Sequence, residues 1–262
     1  MLQTMRMLLM YFLLASLTLI WCLPSVLLGM LLPQRLRYRM IAGSWTAVAI
    51  WIIKHVVKID YRISGVENIP QQPCVILAKH QSTWETFFLS LYFQPLSQVL
   101  KQELLRIPVF GWVLKMVEPI ALDRSQPKKA LRQLAEQGQA ALAQGNWLLI
   151  FPEGTRVPPG KIGKFSRGGA SLAAKAGLPV LPVAHNAGHF WPREGWAKKP
   201  GVIDVVIGPP MLANGSDGAA IAELNERAYR WVAQAQREIG SLDDETWAQF
   251  APALDEGSES EP

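Results

Sequence analysis

A histidine followed five positions later by a carboxylate, in Lys79-His80-Gln81-Ser82-Thr83-Trp84-Glu85, is the segment of this 262-residue chain best equipped for acid–base chemistry. An imidazole exchanges a proton near neutral pH, and a carboxylate within hydrogen-bond reach orients it and stabilises its charged form. Midway along a helix, a spacing of five would set the two side chains about 140° apart. At a helix start, with His80 before the first turn, the imidazole can fold back over it. The same residues carry a structural alternative. Ser82-Thr83-Trp84-Glu85 matches a capping box, with Ser82 as N-cap and Glu85 reaching back to its backbone N–H; His80 is then an ordinary loop histidine. A carboxylate has two oxygens, so the two readings are compatible.

Phe151-Pro152-Glu153-Gly154-Thr155-Arg156 follows a strand-like run and has the residue types of an anion site. Gly154 lets the backbone approach a ligand closely, and the planar Arg156 guanidinium suits phosphate. Glu153 either holds that arginine or meets a substrate hydroxyl. The alternative is a strand-ending turn with an exposed salt bridge. Lys101, and Arg124 at the end of Pro119-Ile120-Ala121-Leu122-Asp123-Arg124, are further cations for a phosphate site. The apolar stretch Ile107-Pro108-Val109-Phe110-Gly111-Trp112 between them can line a groove, although by themselves these residues read as core plus a surface Asp–Arg pair. Gly177 to Asn186 reads as a buried strand, and His185 and His189 near it are assigned no role.

The elements that must position these groups alternate. Strand patterns at Ile59–Ser64, Cys74–Lys79, Gln98–Lys101, Pro119–Leu122, Trp147–Phe151, Val180–Ala184 and Ile203–Ile207 are separated by helical ones at Thr83–Phe93, Val109–Val117, Gln126–Gln144 and Gly168–Ala176. Asp217–Ile239 reads as a long closing helix. This alternation predicts an α/β domain with a mostly parallel sheet flanked by helices. Both motifs then sit where a strand ends and a helix or turn begins, the usual place for a site in such a sheet.

Half of the chain is hydrophobic and the mean hydropathy is +0.13, as expected of an anchored enzyme. Met7 to Leu32 is 26 residues without a charge, and about 20 apolar residues of helix span a bilayer core. Pro24 is expected to kink or break this helix. A cleaved signal peptide fits poorly, since its apolar core is about 7–15 residues and the stretch leads to no small-residue cleavage site. Arg35, Arg37 and Arg39 after the stretch, against Arg6 before it, place the C-terminal side in the cytoplasm. A second run, Ile41 to Ile53, is too short to span comfortably. It reads equally as a helix along the membrane interface and as one packed on the domain. Expected boundaries are thus 1–56 for the anchoring helices, 57–240 for the catalytic domain and 241–262 for an acidic, disordered tail.

The net charge of +5 is unevenly placed, because residues 1–240 hold all 26 basic side chains against 14 acidic ones. Such a body suits an anionic partner. The hydrophobic N-terminus favours a lipid surface, and no nucleic-acid-binding module is recognisable. Cys22 and Cys74 give neither a disulfide framework nor a metal-binding spacing.

From Ile59 to Pro210 the ordered blocks His80–Glu85, Pro119–Arg124, Phe151–Arg156 and Val180–Val183 resemble the glycerolipid acyltransferase family, above all its bacterial 1-acylglycerol-3-phosphate branch. One position departs, since the family usually has Asp where this chain has Glu85, one methylene longer. The resemblance implies acyl transfer from a thioester, acyl-CoA or acyl carrier protein, to lysophosphatidic acid, with no tightly bound cofactor and no metal. It implies His80 and Glu85 as the catalytic pair, and Glu153, Gly154, Thr155 and Arg156, with Lys101 and Arg124, around the acceptor phosphate. Membrane lipids are the expected partners, and the inner membrane of a bacterium, with the catalytic domain facing the cytoplasm, the expected location. Transfer to lyso-ornithine lipid or another lysolipid, and a non-catalytic lipid-binding role, are the alternatives.

Overall fold

The computed structural model describes residues 1–123 and 125–250. Its strands are β1 Ile59–Ser64, β2 Val75–Ala78, β3 Leu96–Lys101, β4 Ile120–Leu122, β5 Trp147–Ile150, β6 Val180–His185 and β7 Gly201–Ile207. They form one seven-stranded sheet in the order β1-β7-β6-β2-β5-β3-β4. Every neighbouring pair is parallel except β6–β7. The sheet is therefore mostly parallel, as the alternation of patterns predicts.

Central strands β2 and β5 are buried along their whole length. A strand covered on both faces reads as a continuous apolar run, which accounts for Val75-Ile76-Leu77-Ala78 and Trp147-Leu148-Leu149-Ile150. Leu77 lies in register with Ile150, so the chain segments that begin at Lys79 and Phe151 leave the sheet side by side at its carboxyl edge. Strands β3 and β4 end on the same edge, where Lys101 pairs with Leu122.

The helices are α1 Leu2–Gly29, α2 Gln34–Val57, α3 Trp84–Tyr92, α4 Phe110–Met116, α5 Pro127–Ala143, α6 Gly168–Ala176, α7 Ala187–Phe190, α8 Gly218–Glu238 and α9 Asp244–Trp247. In α8 the buried Ile221, Leu224, Ala228, Val232 and Ala235 recur every three to four residues, the stripe of a helix packed on a sheet. Asp217 caps it, accepting from the N–H groups of Ala219 and Ala220 at 2.8 and 2.9 Å.

Helix α1 continues through Pro24, against the expected break. Pro24 lies within its last two turns, where a missing N–H removes one bond and leaves the preceding helix intact. Helix α2 is longer than its apolar run suggests, because Gln34–Tyr38 and Lys54–Val57 extend it. Both helices are long and apolar enough to cross a membrane by length and composition, but they are covered differently: 17% of the most apolar window of α1 is buried against 44% for α2. One face of α2 is core, since Tyr38, Ile50, Ile52, Ile53 and Val57 cluster with Ile59, Ile76 and Leu149 of the strands. Helix α1 leaves Leu8, Phe12, Leu19, Ile20, Leu23 and Leu27 exposed. A continuous apolar surface of this kind marks a contact with lipid or protein.

The first ten residues of the acidic segment, 241–250, are folded. Ser241 and Leu242 are buried, and Asp243 caps α9 by accepting from the Thr246 N–H at 2.8 Å. Lys161 pairs with Asp243 and Glu245 at 3.2 and 3.1 Å, and Arg237 pairs with Asp244. The chain is folded through Phe250, which packs on Tyr229 with ring centroids 5.2 Å apart, while the exposed ion pairs add little. Residues 251–262, the rest of the segment read as disordered, lie outside the described residues.

Candidate active site

His80 leaves the end of β2 and turns back over the first turn of α3. Its Nδ1 lies 2.9 Å from Glu85 Oε1. The same oxygen accepts the backbone N–H of Gln81 at 2.9 Å and of Ser82 at 2.7 Å, while the Ser82 hydroxyl accepts from the Trp84 N–H at 3.0 Å. Glu85 thus caps the helix and orients the histidine at once. The two roles are not divided between its oxygens, because Oε1 takes all of these bonds and the buried Oε2 takes none among the described residues. The imidazole stacks on Phe151, with ring centroids 3.9 Å apart and planes 15° from parallel. With Nδ1 held by the carboxylate, Nε2 is the nitrogen left for a reacting group.

Burial pushes the Glu85 carboxyl up, but the neighbouring imidazoles and the hydrogen bonds it receives more than reverse this and hold it at about 2. His185 contributes little charge at neutral pH, since burial pushes its own imidazole down. Its Nε2–H donates to the Lys79 carbonyl at 2.7 Å and its Nδ1 faces the Ala187 N–H at 3.3 Å, the bonding of a neutral ring. A carboxyl depressed from 4.5 to about 2 adds stability above the higher value that is lost as pH falls through the lower one. Wild-type thermal midpoints are expected to drop between pH 5 and 2, and Glu85→Gln should drop less steeply. Parallel slopes in scanning fluorimetry would show that Glu85 has no part in acid unfolding.

Glu153 does not hold Arg156. Its carboxylate is fully buried and meets Lys79 Nζ at 2.9 and 3.1 Å. It also accepts the N–H of His80 at 3.0 Å and of Gly163 at 2.7 Å. Burial pushes the Lys79 ammonium down, and the Glu153 charge opposes that shift. The His80 carbonyl in turn accepts from the Val157 N–H at 2.8 Å. Both backbone polar groups of the histidine are therefore tied to the loop after β5. Sequence reasoning assigned no role to Lys79, although a lysine closing a buried apolar strand signals a paired charge, because buried lysines require a partner.

Gly154 has φ +70°, and a Cβ there would meet nothing within 4 Å. Its backbone needs the left-handed region that glycine adopts without strain, beside open space. Thr155 is exposed, and Arg156, half-buried, donates from Nη1 to Thr83 Oγ1 at 3.2 Å, which brings it to the start of α3 next to His80. The Thr155 hydroxyl and the Arg156 carbonyl accept from Arg193 Nη1 at 3.3 and 3.1 Å. Arg193 was missed because it lies in a loop with no periodic pattern. Lys101 is exposed at the end of β3, two strands from β2, and its side chain makes no hydrogen bond or ion pair among the described residues. Arg124 lies outside the described residues.

Two cavities adjoin through Thr86 and Gln98, and the histidine lines the smaller of them. A small one of about 90 Å³ is lined by His80, Phe151, Gly154, Thr86, Gln98 and Val99. Thr86 and Gln98 also line a larger, mainly apolar cavity of about 260 Å³, whose walls include Trp21 of α1, Tyr38 and Trp45 of α2, Phe87 of α3 and Phe110 of α4. The Ile107–Trp112 stretch contributes Phe110 to this wall, whereas Ile107 and Trp112 are exposed. The imidazole thus lines a small cavity beside the Phe151–Arg156 loop, and that cavity shares Thr86 and Gln98 with the apolar one.

The acyltransferase family profile matches residues 60–186. A 1-acyl-sn-glycerol-3-phosphate acyltransferase of Pseudomonas aeruginosa is 58% identical over 92% of this chain and 93% of its own. One from Saccharomyces cerevisiae is 27% identical over 72% of this chain and 64% of its own. In fold, the chain is similar to the crystal structure of the 1-acyl-sn-glycerophosphate acyltransferase of Thermotoga maritima, with a TM-score of 0.73 at 23% identity, covering 90% of this chain and 97% of that one. With a relative so similar along nearly its whole length, this chain is an enzyme of the acyltransferase family.

Proposed function

We propose that the enzyme transfers a fatty acyl chain from a thioester to the free hydroxyl of 1-acyl-sn-glycerol 3-phosphate, giving phosphatidic acid, with His80 as general base. The observation that carries this reading is the 2.9 Å contact between His80 Nδ1 and the buried Glu85, which leaves Nε2 toward a cavity bordered by the Phe151–Arg156 loop. The relative in Pseudomonas aeruginosa bears the name of this activity.

A thioester is already activated, so an alcohol can attack it without a covalent enzyme intermediate. His80 Nε2 takes the hydroxyl proton as the oxygen bonds to the acyl carbon. Glu85 stabilises the imidazolium that forms. When the tetrahedral intermediate collapses, the carbon–sulfur bond breaks and the thiolate leaves with the proton that His80 returns. Arg156 holds the acceptor phosphate and so places the hydroxyl near His80, a proximity effect. The donor is acyl-CoA or acyl carrier protein, and the basic body of the enzyme suits either anion.

An acyl chain fits the apolar cavity beside Thr86 and Gln98. Filling it with Ser90→Phe is expected to lower kcat/KM more for long acyl donors than for short ones, because each buried methylene is worth about 0.8 kcal/mol. An equal loss across chain lengths would place the acyl chain elsewhere. The apolar face of α1 anchors the enzyme in the membrane, so that it draws lysolipid laterally from the bilayer. Arg35, Arg37 and Arg39 favour the cytoplasmic side of a bacterial inner membrane.

The test is direct. The purified chain in detergent receives 1-acyl-sn-glycerol 3-phosphate with acyl-CoA or, separately, acyl carrier protein thioester, and phosphatidic acid is quantified. Product with either donor supports the reading. Transfer only to a lysolipid without phosphate would replace the acceptor, and no transfer to any lysolipid would contradict the proposed reaction.

A further inference from the structure

Arg156 and Arg193 meet at the loop after β5, and Lys198 lies five residues further along the Arg193 segment. Arg156 is joined to the start of α3 through Thr83. Arg193 lies along the same loop, its Nη1 shared between the Thr155 hydroxyl and the Arg156 carbonyl. Lys198 is only 3% exposed; its Nζ donates to the Gly195 carbonyl at 3.3 Å and sits 5.2 Å from the centre of the Trp191 ring. Burial pushes the Lys198 ammonium down, and the Arg156 charge adds to that shift.

None of the three forms an ion pair with a carboxylate among the described residues. Other buried or half-buried cations do, as Lys79 has Glu153 and Arg37 has Glu118. Like charges gathered without a counter-ion repel one another, most strongly at the buried Lys198 and least at the exposed Arg193. The cluster is therefore stabilised when an anion enters it.

Its position suits a lipid headgroup. The segment around Lys198 rests on the first turns of α1: the Gln3 side-chain amide donates to the Lys198 carbonyl at 2.8 Å, and the Lys198 N–H meets Met7 Sδ at 3.0 Å. The cations thus lie where the exposed apolar helix begins, within one loop of His80.

We infer that Arg193 and Lys198 complete, with Arg156, a three-cation cradle for the phosphomonoester of the acceptor, and that Arg193 sets the preference for a dianionic headgroup. A phosphomonoester carries about −1.5 to −2 charges at pH 7, whereas a phosphodiester carries a single charge and leaves the cradle underfilled. The inference rests on the proposed acyl transfer to a lysophospholipid, and it adds two residues and a selectivity rule to it.

The experiment compares 1-acyl-sn-glycerol 3-phosphate with the methyl phosphodiester of the same lysolipid in wild type, Arg193→Gln and Arg193→Lys. Arg193→Gln is expected to raise KM for the monoester about tenfold, the equivalent of about 1.4 kcal/mol. Its KM for the diester should change by less than about threefold, with kcat for both within about twofold. Arg193→Lys should recover most of the monoester selectivity. Equal KM shifts for both acceptors, or a fall in kcat at constant KM, would reduce Arg193 to a fastener of the Thr155–Arg156 loop and overturn the cradle. Equilibrium dialysis of glycerol 3-phosphate decides the point apart from turnover. If the wild type acylates neither lysolipid, the proposed reaction fails, while a roughly tenfold weaker binding in Arg193→Gln still supports the cradle and unchanged binding overturns it.

Discussion

His80→Ala is expected to lower kcat about 10²–10⁴-fold while the KM for the lysolipid stays within about threefold of wild type. In the proposed reaction the acceptor is held by its phosphate and its acyl chain, away from the imidazole. Loss of the base removes an interaction made as the hydroxyl is deprotonated, so it appears in kcat. The fold should survive, because the His80 side chain is 19% exposed and Glu85 keeps the N–H groups of Gln81 and Ser82. Initial rates over a range of lysophosphatidic acid, with a thermal scan of each sample, separate these effects. A normal kcat in folded His80→Ala would remove the histidine from the chemistry.

Lys79→Met is expected to have the largest effect on stability. It leaves the Glu153 carboxylate in a dry site with no cation, and breaking a buried pair in this way costs about 3–5 kcal/mol. For a domain of this size each kcal/mol corresponds to roughly 2–4 °C in Tm, so a fall of roughly 6–20 °C should appear in detergent. Lys79→Met with Glu153→Gln should regain part of that loss, since removal of both charges relieves the unpaired one. Recovery will be incomplete, because the carboxylate also accepts from His80 and Gly163 and an amide offers only one accepting oxygen. A double variant less stable than Lys79→Met alone would mean that the two backbone contacts of Glu153 outweigh its pairing with Lys79.

The sheet and the two site motifs were legible in the sequence because their signals are local. Runs such as Val75–Ala78 and Trp147–Ile150 announce buried strands, and a glycine-bearing turn or a capping pattern marks where each ends. Parallel pairing of β2 with β5 then brings together motifs about seventy residues apart. What escaped depends on contacts between distant segments. Glu153 had Arg156 of its own hexapeptide or a substrate hydroxyl as plausible partners, yet it turns inward to Lys79. Arg193 and Lys198 follow a four-residue helix and have no periodicity to betray them. The composition of the acidic tail suggested disorder; within its described part Asp243 and Asp244 pair with Lys161 and Arg237, contacts that composition does not reveal. For Glu85 the sequence offered capping and catalysis as alternatives, and a single oxygen serves both.

A double-mutant cycle on single-turnover acyl transfer, with wild type, His80→Ala, Glu85→Gln and the two combined, tests the central claim most directly. If Glu85 acts through His80, Glu85→Gln alone is slowed by about 10²–10⁴-fold, and the double variant is no slower than His80→Ala. Losses that multiply in the double variant would show the two side chains acting independently, and would contradict a histidine base oriented by its carboxylate.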